Sequence, residues 1–205
     1  SRCVFNIGSP DLDVMNSNDL PSLEFVKNYY GIDFQKFAIV MFHPVTTETN
    51  KLKDQVKIFV DSLIESNQKY IIIYPNNDIG SDTILQEYER LLDNTNFKIY
   101  PSLRFEYFLV LLKNAQFMIG NSSAGVREAP YYNIPTINLG NRQNNRVKSN
   151  TIISIDFIKE DINNSINKVL KIGKIEKDVD FGDGNSDKKF YELLQNERLW
   201  QITRQ

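Results

Sequence analysis

The chain has 205 residues, which suits one domain or at most two small ones, and 41% of them are hydrophobic, as in a globular protein with a core. Its 24 basic and 26 acidic residues give a formal net charge of −2, which argues against a protein held to nucleic acid mainly by phosphate contacts. No apolar run approaches the roughly 18 residues of a membrane span. A single cysteine, Cys3, and a single histidine, His43, exclude an intramolecular disulfide framework and a Cys/His zinc cluster.

Short apolar runs rich in β-branched residues alternate with longer amphipathic stretches. The runs predicted as strands are 37–42, 70–74, 97–100, 117–120, 135–140 and 152–155. The helices predicted between and after them lie at about 48–66, 81–92, 104–114, 123–132 and 158–172, the second of them capped by Ser81 or Asp82. Strands that alternate with helices indicate an α/β fold with a Rossmann-like, doubly wound parallel sheet.

The two ends of the chain fit this alternation less well. Residues 4–7 are a candidate strand with a turn at 8–11, and residues 174–188 are polar and contain glycine, as in a loop. A last amphipathic helix is predicted at about 187–203. Because no internal repeat is visible, we expect residues 1–205 to form a single domain. The start has neither a signal-peptide pattern nor an initiator methionine, so we expect it to lie inside a longer protein.

Four polar loops directly follow predicted strands, at residues 43–48, 75–81, 120–128 and 140–146. The carboxyl ends of parallel strands share one edge of a sheet, where ligands bind, so we expect these loops to line one crevice. The loop at 120–128 points most directly to a ligand, because its small residues allow close approach and its serine hydroxyls and free amides suit an anion. A capped helix start without any ligand is the alternative, since asparagine and serine are good capping residues.

Individual side chains of these loops have chemistry that suits a nucleotide. Glu128, on the first turns of the helix after the serine loop, can accept hydrogen bonds from ribose hydroxyls. Arg142 and Arg146 can make bidentate phosphate contacts, although solvated surface arginines would give the same pattern. His43 stands at a strand end in the same crevice, where a lone histidine is more often structural than catalytic. The turn at 76–78 is interpreted as a simple turn before a helix.

Motifs for several other chemistries are missing from the sequence. There is no Walker A pattern and no Gly-x-Gly-x-x-Gly after a strand, so neither ATP hydrolysis nor standard dinucleotide binding is supported. The acidic cluster of a two-metal nuclease is also missing. We therefore predict neither a metal site nor a cofactor.

Five motifs follow one another in the chain. They lie at residues 8–13 (Gly-Ser-Pro-Asp-Leu-Asp), 43–48 (His-Pro-Val-Thr-Thr-Glu), 74–81 (Tyr-Pro-Asn-Asn-Asp-Ile-Gly-Ser), 120–128 (Gly-Asn-Ser-Ser-Ala-Gly-Val-Arg-Glu) and 135–143 (Pro-Thr-Ile-Asn-Leu-Gly-Asn-Arg-Gln). Together they resemble the UDP-N-acetylglucosamine 2-epimerases, especially the hydrolysing branch that releases N-acetylmannosamine for sialic-acid-type sugars. The resemblance spans about residues 4–150, and the last helix also fits the family's C-terminus.

The resemblance implies a GT-B-type fold, in which two Rossmann-like domains enclose the active site. This chain resembles only the C-terminal domain, which grips the nucleotide, so the N-terminal domain with the acidic catalytic residues would be its missing partner. The implied reaction is anti elimination of UDP from UDP-N-acetylglucosamine to a glycal, followed by addition of water. We expect a cytoplasmic enzyme that is a homo-oligomer at full length and that binds UDP-N-acetylglucosamine or UDP, but neither nucleic acid nor a membrane.

The same resemblance assigns the site residues. The nucleotide-binding residues that it implies are Gly120, Asn121, Ser122, Ser123, Phe105, Glu128 and Arg142. The serines and Arg142 would bind the diphosphate, Glu128 the ribose and Phe105 the uracil. His43 matches the family's active-site histidine, which faces the sugar and the leaving group. Asn141 departs from the family pattern, in which a threonine precedes the Arg-Gln pair.

Two other functions remain open at this point. A GDP-sugar 2-epimerase, a glycosyltransferase or another nucleotide-sugar enzyme could use the same architecture, and a panel of UDP, GDP and CMP would separate these. A non-catalytic α/β binding module would show no nucleotide preference, and substitutions in the strand-end loops would then be silent.

Overall fold

A computed structural model of the chain describes residues 4–143, 146–176 and 182–200. The chain divides into two compact units, a central unit of residues Pro21–Val179 and a terminal unit of residues Ser1–Leu20 and Asp180–Gln205. Within the described residues, no helix combines the length and the apolar character needed to cross a membrane. We predict that residues 1–205 form one nucleotide-sugar-binding domain. This prediction concerns ligand binding, which the division into two units does not test, and it stays a prediction.

The central unit contains one sheet of six parallel strands. The strands are β1 (Ala38–Met41), β2 (Tyr70–Ile73), β3 (Phe97–Tyr100), β4 (Met118–Gly120), β5 (Thr136–Leu139) and β6 (Ile152–Ile155). Their order across the sheet is β3-β2-β1-β4-β5-β6, and every neighbouring pair is parallel. All six strands lie where the apolar runs predict them, and the Rossmann-like, doubly wound prediction is confirmed.

The strand order reverses direction between β1 and β4. From β1 the chain adds β2 and β3 on one side and then returns to place β4 on the other side. The loops that follow the neighbouring strands β1 and β4 therefore run in opposite directions. This opens a crevice at the carboxyl ends of the two strands. The residues after β1 and β4, which begin with Phe42 and Asn121, border this crevice.

Nine α-helices accompany the sheet or lie in the terminal unit, in the described part of the chain. They are α1 (Pro10–Met15), α2 (Leu23–Tyr30), α3 (Thr49–Glu65), α4 (Ser81–Tyr88), α5 (Phe105–Asn114), α6 (Glu128–Tyr131), α7 (Lys159–Ile172), α8 (Ser186–Leu194) and α9 (Glu197–Trp200). Single turns of 3₁₀ helix at Glu89–Leu91 and Ser123–Gly125 continue α4 and precede α6.

The helices of the central unit form two groups. Helix α3 packs on α4 and α7, whereas α5 packs on α2 and α6. Successive residues of a strand point to opposite faces, and strand β1 has buried residues on both of them, with Val40 in the core under α3 and Ile39 equally buried. This arrangement explains why the strands read as continuous apolar runs rather than as alternating ones.

Helix α2 is a helix that the sequence analysis did not predict. Ser22 caps its first turn, because the serine hydroxyl oxygen accepts the Phe25 amide at 3.2 Å. Gly31 ends it in the left-handed conformation with φ of 63°. Both signals are present in the sequence, on either side of the eight helical residues, and they would have located the helix.

Two predictions near the chain start and in α4 are wrong. Residues 4–7 are not a strand: Val4 is 75% exposed, and no ladder pairs this segment within the described residues. The turn at 8–11 leads directly into α1. The N-cap of α4 is Gly80 rather than Ser81 or Asp82, because Ser81 is the first helical residue and its hydroxyl donates to the Asn76 and Asp78 carbonyls.

The predicted helix at 187–203 is interrupted. Helix α8 ends at Leu194, and α9 begins at Glu197. The indole N–H of Trp200 donates to the Leu194 carbonyl at 3.0 Å, so this carbonyl is satisfied although the helix stops there. Residues 201–203 of the prediction, residues 177–181 of the predicted loop and Cys3 lie outside the described residues.

The terminal unit is built from both ends of the chain. Helix α1 contacts α8, and the Asp13 carboxylate of α1 accepts hydrogen bonds from the Ser186 amide at 2.9 Å, the Ser186 hydroxyl at 2.6 Å and the Asp187 amide at 2.9 Å. Burial alone would raise the pKa of Asp13, but these donors outweigh it and the pKa is lowered. The carboxylate thus accepts the first free amides of α8 from 173 positions earlier in the chain, where the N-cap residue Asn185 makes no side-chain hydrogen bond to them.

Candidate functional site

His43 follows β1 and lies buried at the crevice, with 5% of its surface exposed. Its imidazole Nδ1 accepts the main-chain N–H of Asn76, at 3.2 Å, from the loop after β2. A neutral imidazole that accepts at Nδ1 carries its proton on Nε2. The geometry therefore selects the tautomer that offers an N–H donor at Nε2.

The charge state of His43 follows from its surroundings. Burial, and then the positive charge of Arg142, lower the pKa of His43 to about 4, although the Asp78 carboxylate acts in the opposite direction. The ring is thus neutral at neutral pH, and it can donate a hydrogen bond there but is a poor proton acceptor.

Asn121, directly after β4, connects this histidine to the neighbouring loop. Its side-chain oxygen accepts the His43 main-chain N–H at 2.8 Å, and its side-chain nitrogen donates to the His43 carbonyl at 2.8 Å. The side chain is fully buried. The two loops at the switch point are therefore joined by a two-point amide contact.

Arg142 and Gln143 enter the same place from the loop after β5. The Arg142 Nη1 donates to the Asn121 main-chain carbonyl at 3.1 Å, and the Gln143 Nε2 donates to the same oxygen at 2.8 Å. Arg142 is only half-buried, and burial lowers the pKa of its guanidinium, a change that the Asp78 carboxylate opposes. An arginine nevertheless keeps its proton in proteins, so the crevice contains a fixed positive charge.

The serine loop begins at a position that only glycine can occupy. Gly120 has φ of 141°, and a Cβ built there would overlap the main-chain carbonyl of Met41, its neighbour on β1. The following Ser122 is buried and caps the 3₁₀ turn, since its hydroxyl accepts the Ala124 amide at 3.3 Å. This close approach aims the first turns of Ser123–Gly125 and α6 at the crevice.

A model of the UDP-N-acetylglucosamine 2-epimerase family matches residues 1–195 of the chain. The chain belongs to this family. A UDP-N-acetylglucosamine 2-epimerase of Neisseria meningitidis is 47% identical over 97% of the chain, which covers 53% of that protein. The hydrolysing UDP-N,N'-diacetylbacillosamine 2-epimerase of Legionella pneumophila is 29% identical over 93% of the chain and 51% of that protein. The polysialic acid biosynthesis protein P7 of Escherichia coli is 32% identical over 92% of the chain and 48% of that protein.

The chain therefore spans about half the length of the curated relatives it matches. Among solved structures, a UDP-GlcNAc 2-epimerase from N. meningitidis bound to UDP-GlcNAc superimposes with a TM-score of 0.69 at 15% identity, over 93% of the chain and 55% of that structure. The heptosyltransferase II of E. coli gives a TM-score of 0.53 at 13% identity, over 73% of the chain and 51% of that structure. These two structures support the fold, that of one half of a GT-B-type enzyme.

The structure brings together some of the residues predicted for an epimerase site. His43, Asn121 and Arg142 are linked by hydrogen bonds, and Ser122 and Ser123 follow in the same loop. Glu128 is the first residue of α6, half-buried behind the 3₁₀ turn. Their binding roles stay predictions.

Phe105 lies apart from this group, at the start of α5 beyond β3, and 40% of its surface is exposed. Three strand spacings, about 14 Å, separate β3 from β4 across the sheet. Tyr30 of α2 holds the segment before Phe105, because its hydroxyl accepts the Arg104 amide at 3.1 Å and its carbonyl accepts the Tyr100 hydroxyl at 2.7 Å. Only a ligand that extends along the edge of the sheet can reach both places.

Sequence reasoning missed three participants in the site. The Asn76 contact with His43 uses a main-chain amide, so the residue type carries no signal for it. Gln143 ends the last of the five motifs with no role assigned to it, yet it is 3% exposed and donates into the site. The Asp78 carboxylate, placed in a simple turn, raises the pKa of both His43 and Arg142 against the effect of burial.

The neutral histidine gives a prediction about pH. We expect the His43 imidazole to titrate near pH 4, whereas a histidine in the unfolded chain titrates near pH 6.5. Between these values the unfolded state binds the extra proton, so the free energy of unfolding should decrease as the pH falls from 7, by about 2 kcal/mol at pH 5 from this group. NMR titration of the chain's only histidine measures this directly.

The control for this pH dependence is the variant His43→Gln. Its unfolding free energy, measured with urea at each pH, should lack the His43 contribution between pH 7 and pH 5. A titration midpoint near 6.5 in the folded protein would show that the ring is solvated and not held as described.

Proposed function

We propose that this chain is the UDP-binding half of a hydrolysing UDP-N-acetylglucosamine 2-epimerase. The observation that supports it most is the junction of His43, Asn121 and Arg142 at the switch point of the sheet, beside the serine loop. Nucleotides bind at this place in doubly wound sheets. Epimerase relatives that match nearly the whole chain support the sugar nucleotide as substrate.

The diphosphate would lie against the serine loop. Ser122, Ser123 and the amides of the turn after β4 are suited to bind its oxygens, and Arg142 supplies the positive charge. These groups stabilise the negative charge that develops as UDP leaves. Glu128 would accept hydrogen bonds from the ribose hydroxyls. Phe105, exposed at the start of α5 beyond β3, would contact the uracil.

In the proposed reaction the bond between C1 and the UDP oxygen breaks, the C2 proton goes to a base, and a C1–C2 double bond forms. Water then adds its hydroxyl to C1 and a proton to C2, which gives N-acetylmannosamine. His43 would face the sugar and the leaving oxygen as a neutral Nε2–H donor. Because its low pKa makes it a weak base, the base at C2 belongs to the acidic residues of the N-terminal half.

The proposal extends to the whole protein. The chain would work with an N-terminal half that supplies the acidic residues, in a cytoplasmic homo-oligomer that needs neither a metal nor a cofactor. It would serve the formation of sialic-acid-type sugars, as the name of the E. coli relative suggests.

Calorimetry of the 205-residue chain with UDP, GDP, CMP and pyrophosphate tests the nucleotide-binding role. We expect UDP to bind more tightly than the other two nucleotides, and Phe105→Ala to weaken UDP binding by about tenfold but pyrophosphate binding by less than twofold, because it removes only the stacking contact. The chain alone should not release UDP from UDP-N-acetylglucosamine.

Other results would change the assignment. Preference for GDP would indicate a GDP-sugar 2-epimerase or a glycosyltransferase. A folded chain that binds none of the four ligands at millimolar concentration would indicate a non-catalytic binding module. Release of UDP by the chain alone would refute the assignment of the base to the N-terminal half.

A further inference from the structure

Asn121 connects the loops that follow β1, β4 and β5. Its main-chain N–H donates to the Met41 carbonyl at 3.1 Å, at the end of β1. Its side chain holds the His43 main chain, and its carbonyl accepts from Arg142 and Gln143. We propose that Asn121 is a positioning residue, which orients His43 and Arg142 toward the ligand and does not itself contact the ligand.

The side chain of Asn121 matches the His43 peptide at both of its polar groups. The contact needs one acceptor and one donor, each at 2.8 Å, and a primary amide supplies both. A carboxylate at this position could accept the N–H but would face the His43 carbonyl with no proton to donate. The two hydrogen bonds with the His43 peptide therefore require an amide side chain at this position, in addition to the preference of the loop for small polar residues.

The burial of the Asn121 side chain argues for a positioning role and against direct contact with a nucleotide. The Asn121 side chain is 0% exposed, so neither solvent nor a ligand in the crevice reaches its amide. Its amide hydrogen bonds are satisfied by His43 and would have to break before the side chain could turn toward a nucleotide. A buried amide without hydrogen-bond partners costs free energy, so the side chain is expected to keep its contact with His43.

The main-chain carbonyl of Asn121 positions Arg142, as its side chain positions His43. It accepts the Arg142 Nη1 at 3.1 Å, which uses one of the five N–H donors of the guanidinium. The guanidinium is only half-buried, so part of it reaches solvent. The Gln143 Nε2 takes the second lone pair of the same carbonyl at 2.8 Å, so that the oxygen is fixed from two sides.

Two consequences follow, and they can be measured separately. The orientation of His43 should depend on the Asn121 side chain even in the ligand-free protein. The affinity for UDP should depend on it as well, and this second consequence rests on the proposed function. A merely structural residue would instead lower the melting temperature and leave the folded fraction with normal His43 signals and normal affinity.

The test compares Asn121→Asp with Asn138→Asp in the 205-residue chain. Asn138 on β5 is the other buried asparagine of the described residues, and it donates to Gly140 and Ser154 without touching His43. We expect Asn121→Asp to shift the NMR signals of the His43 ring and to weaken UDP binding by about tenfold in calorimetry. Asn138→Asp should leave the ring signals in place and change the affinity by less than twofold.

A second measurement covers the case in which Asn121→Asp does not fold. In the unsubstituted chain, the side-chain NH₂ of Asn121 and the main-chain N–H of His43 should exchange with D₂O much more slowly than exposed amides. Rapid exchange of either group, or a folded Asn121→Asp protein with unchanged ring signals and UDP affinity, would overturn the proposal. Shifted ring signals in a chain that never binds UDP would refute the proposed function and leave the positioning role standing.

Discussion

Replacing Gly120 by alanine is expected to cost about 4 kcal/mol of unfolding free energy, enough to leave a marginally stable chain largely unfolded. With φ of 141°, the residue occupies a region of backbone space that side chains rarely adopt. The added Cβ would also lie 2.7 Å from the Met41 carbonyl carbon, and a main-chain carbonyl cannot move without disturbing the β1–β4 ladder.

Gly31→Ala is the matched control for this prediction. Gly31 also has a positive φ, of 63°, but no atom lies within 4 Å of the position of its Cβ. This substitution should cost only about 1 kcal/mol, the strain of the left-handed backbone alone. Urea unfolding of both variants compares a left-handed glycine in open space with one at which the φ of 141° and the overlap with Met41 both add to the cost. Equal losses would mean that the approach of β4 to Met41 is not as close as described.

Replacing Arg142 by alanine is expected to weaken UDP binding by about 30-fold, or about 2 kcal/mol. The guanidinium is held by the Asn121 carbonyl and supplies a charge-assisted contact to the proposed diphosphate. Pyrophosphate binding should fall in parallel, because the lost contact concerns the phosphates and not the base. Arg142→Lys should be intermediate, since an ammonium keeps the charge but loses the planar fork.

Arg146→Ala is the control for net charge. Arg146 lies four residues further along the chain and is exposed, so its removal changes the total charge by the same amount; its charge also acts on Arg142 through space. Its UDP affinity should remain within twofold of the unsubstituted chain at physiological salt. If both arginine variants lose affinity equally, the effect is long-range electrostatics and Arg142 has no special contact.

The sheet could be predicted from the sequence because its signal is local. Each strand is a short run of buried residues such as Tyr70–Ile73, and each run is followed by a polar break. The missed helix α2 carries cap signals at Ser22 and Gly31, but its amphipathic stretch is only eight residues long. The break between α8 and α9 depends on a hydrogen bond from Trp200 to Leu194, which no pattern of apolar residues encodes.

The candidate site could be predicted only in outline. The loops that follow β1, β4 and β5 meet because parallel strands share an edge, so His43, the serine loop and Arg142 were expected near one another. The role of Asn121 was not foreseeable, because its partner His43 is 78 residues away and an asparagine before two serines is typical of a simple cap. Tertiary contacts over such distances decide which polar residue contacts a ligand and which one holds another residue.

The contact of Asp13 with Ser186 and Asp187 has a consequence for the order of folding. Local sequence cannot form the terminal unit, since Asp13 and Ser186, which join its two segments, are 173 positions apart in the chain. Contacts of such high sequence separation form late and open first. Limited proteolysis should therefore cut at α8 before it cuts within the sheet. Removal of a few residues from either segment of the terminal unit should leave the other segment without its packing partner.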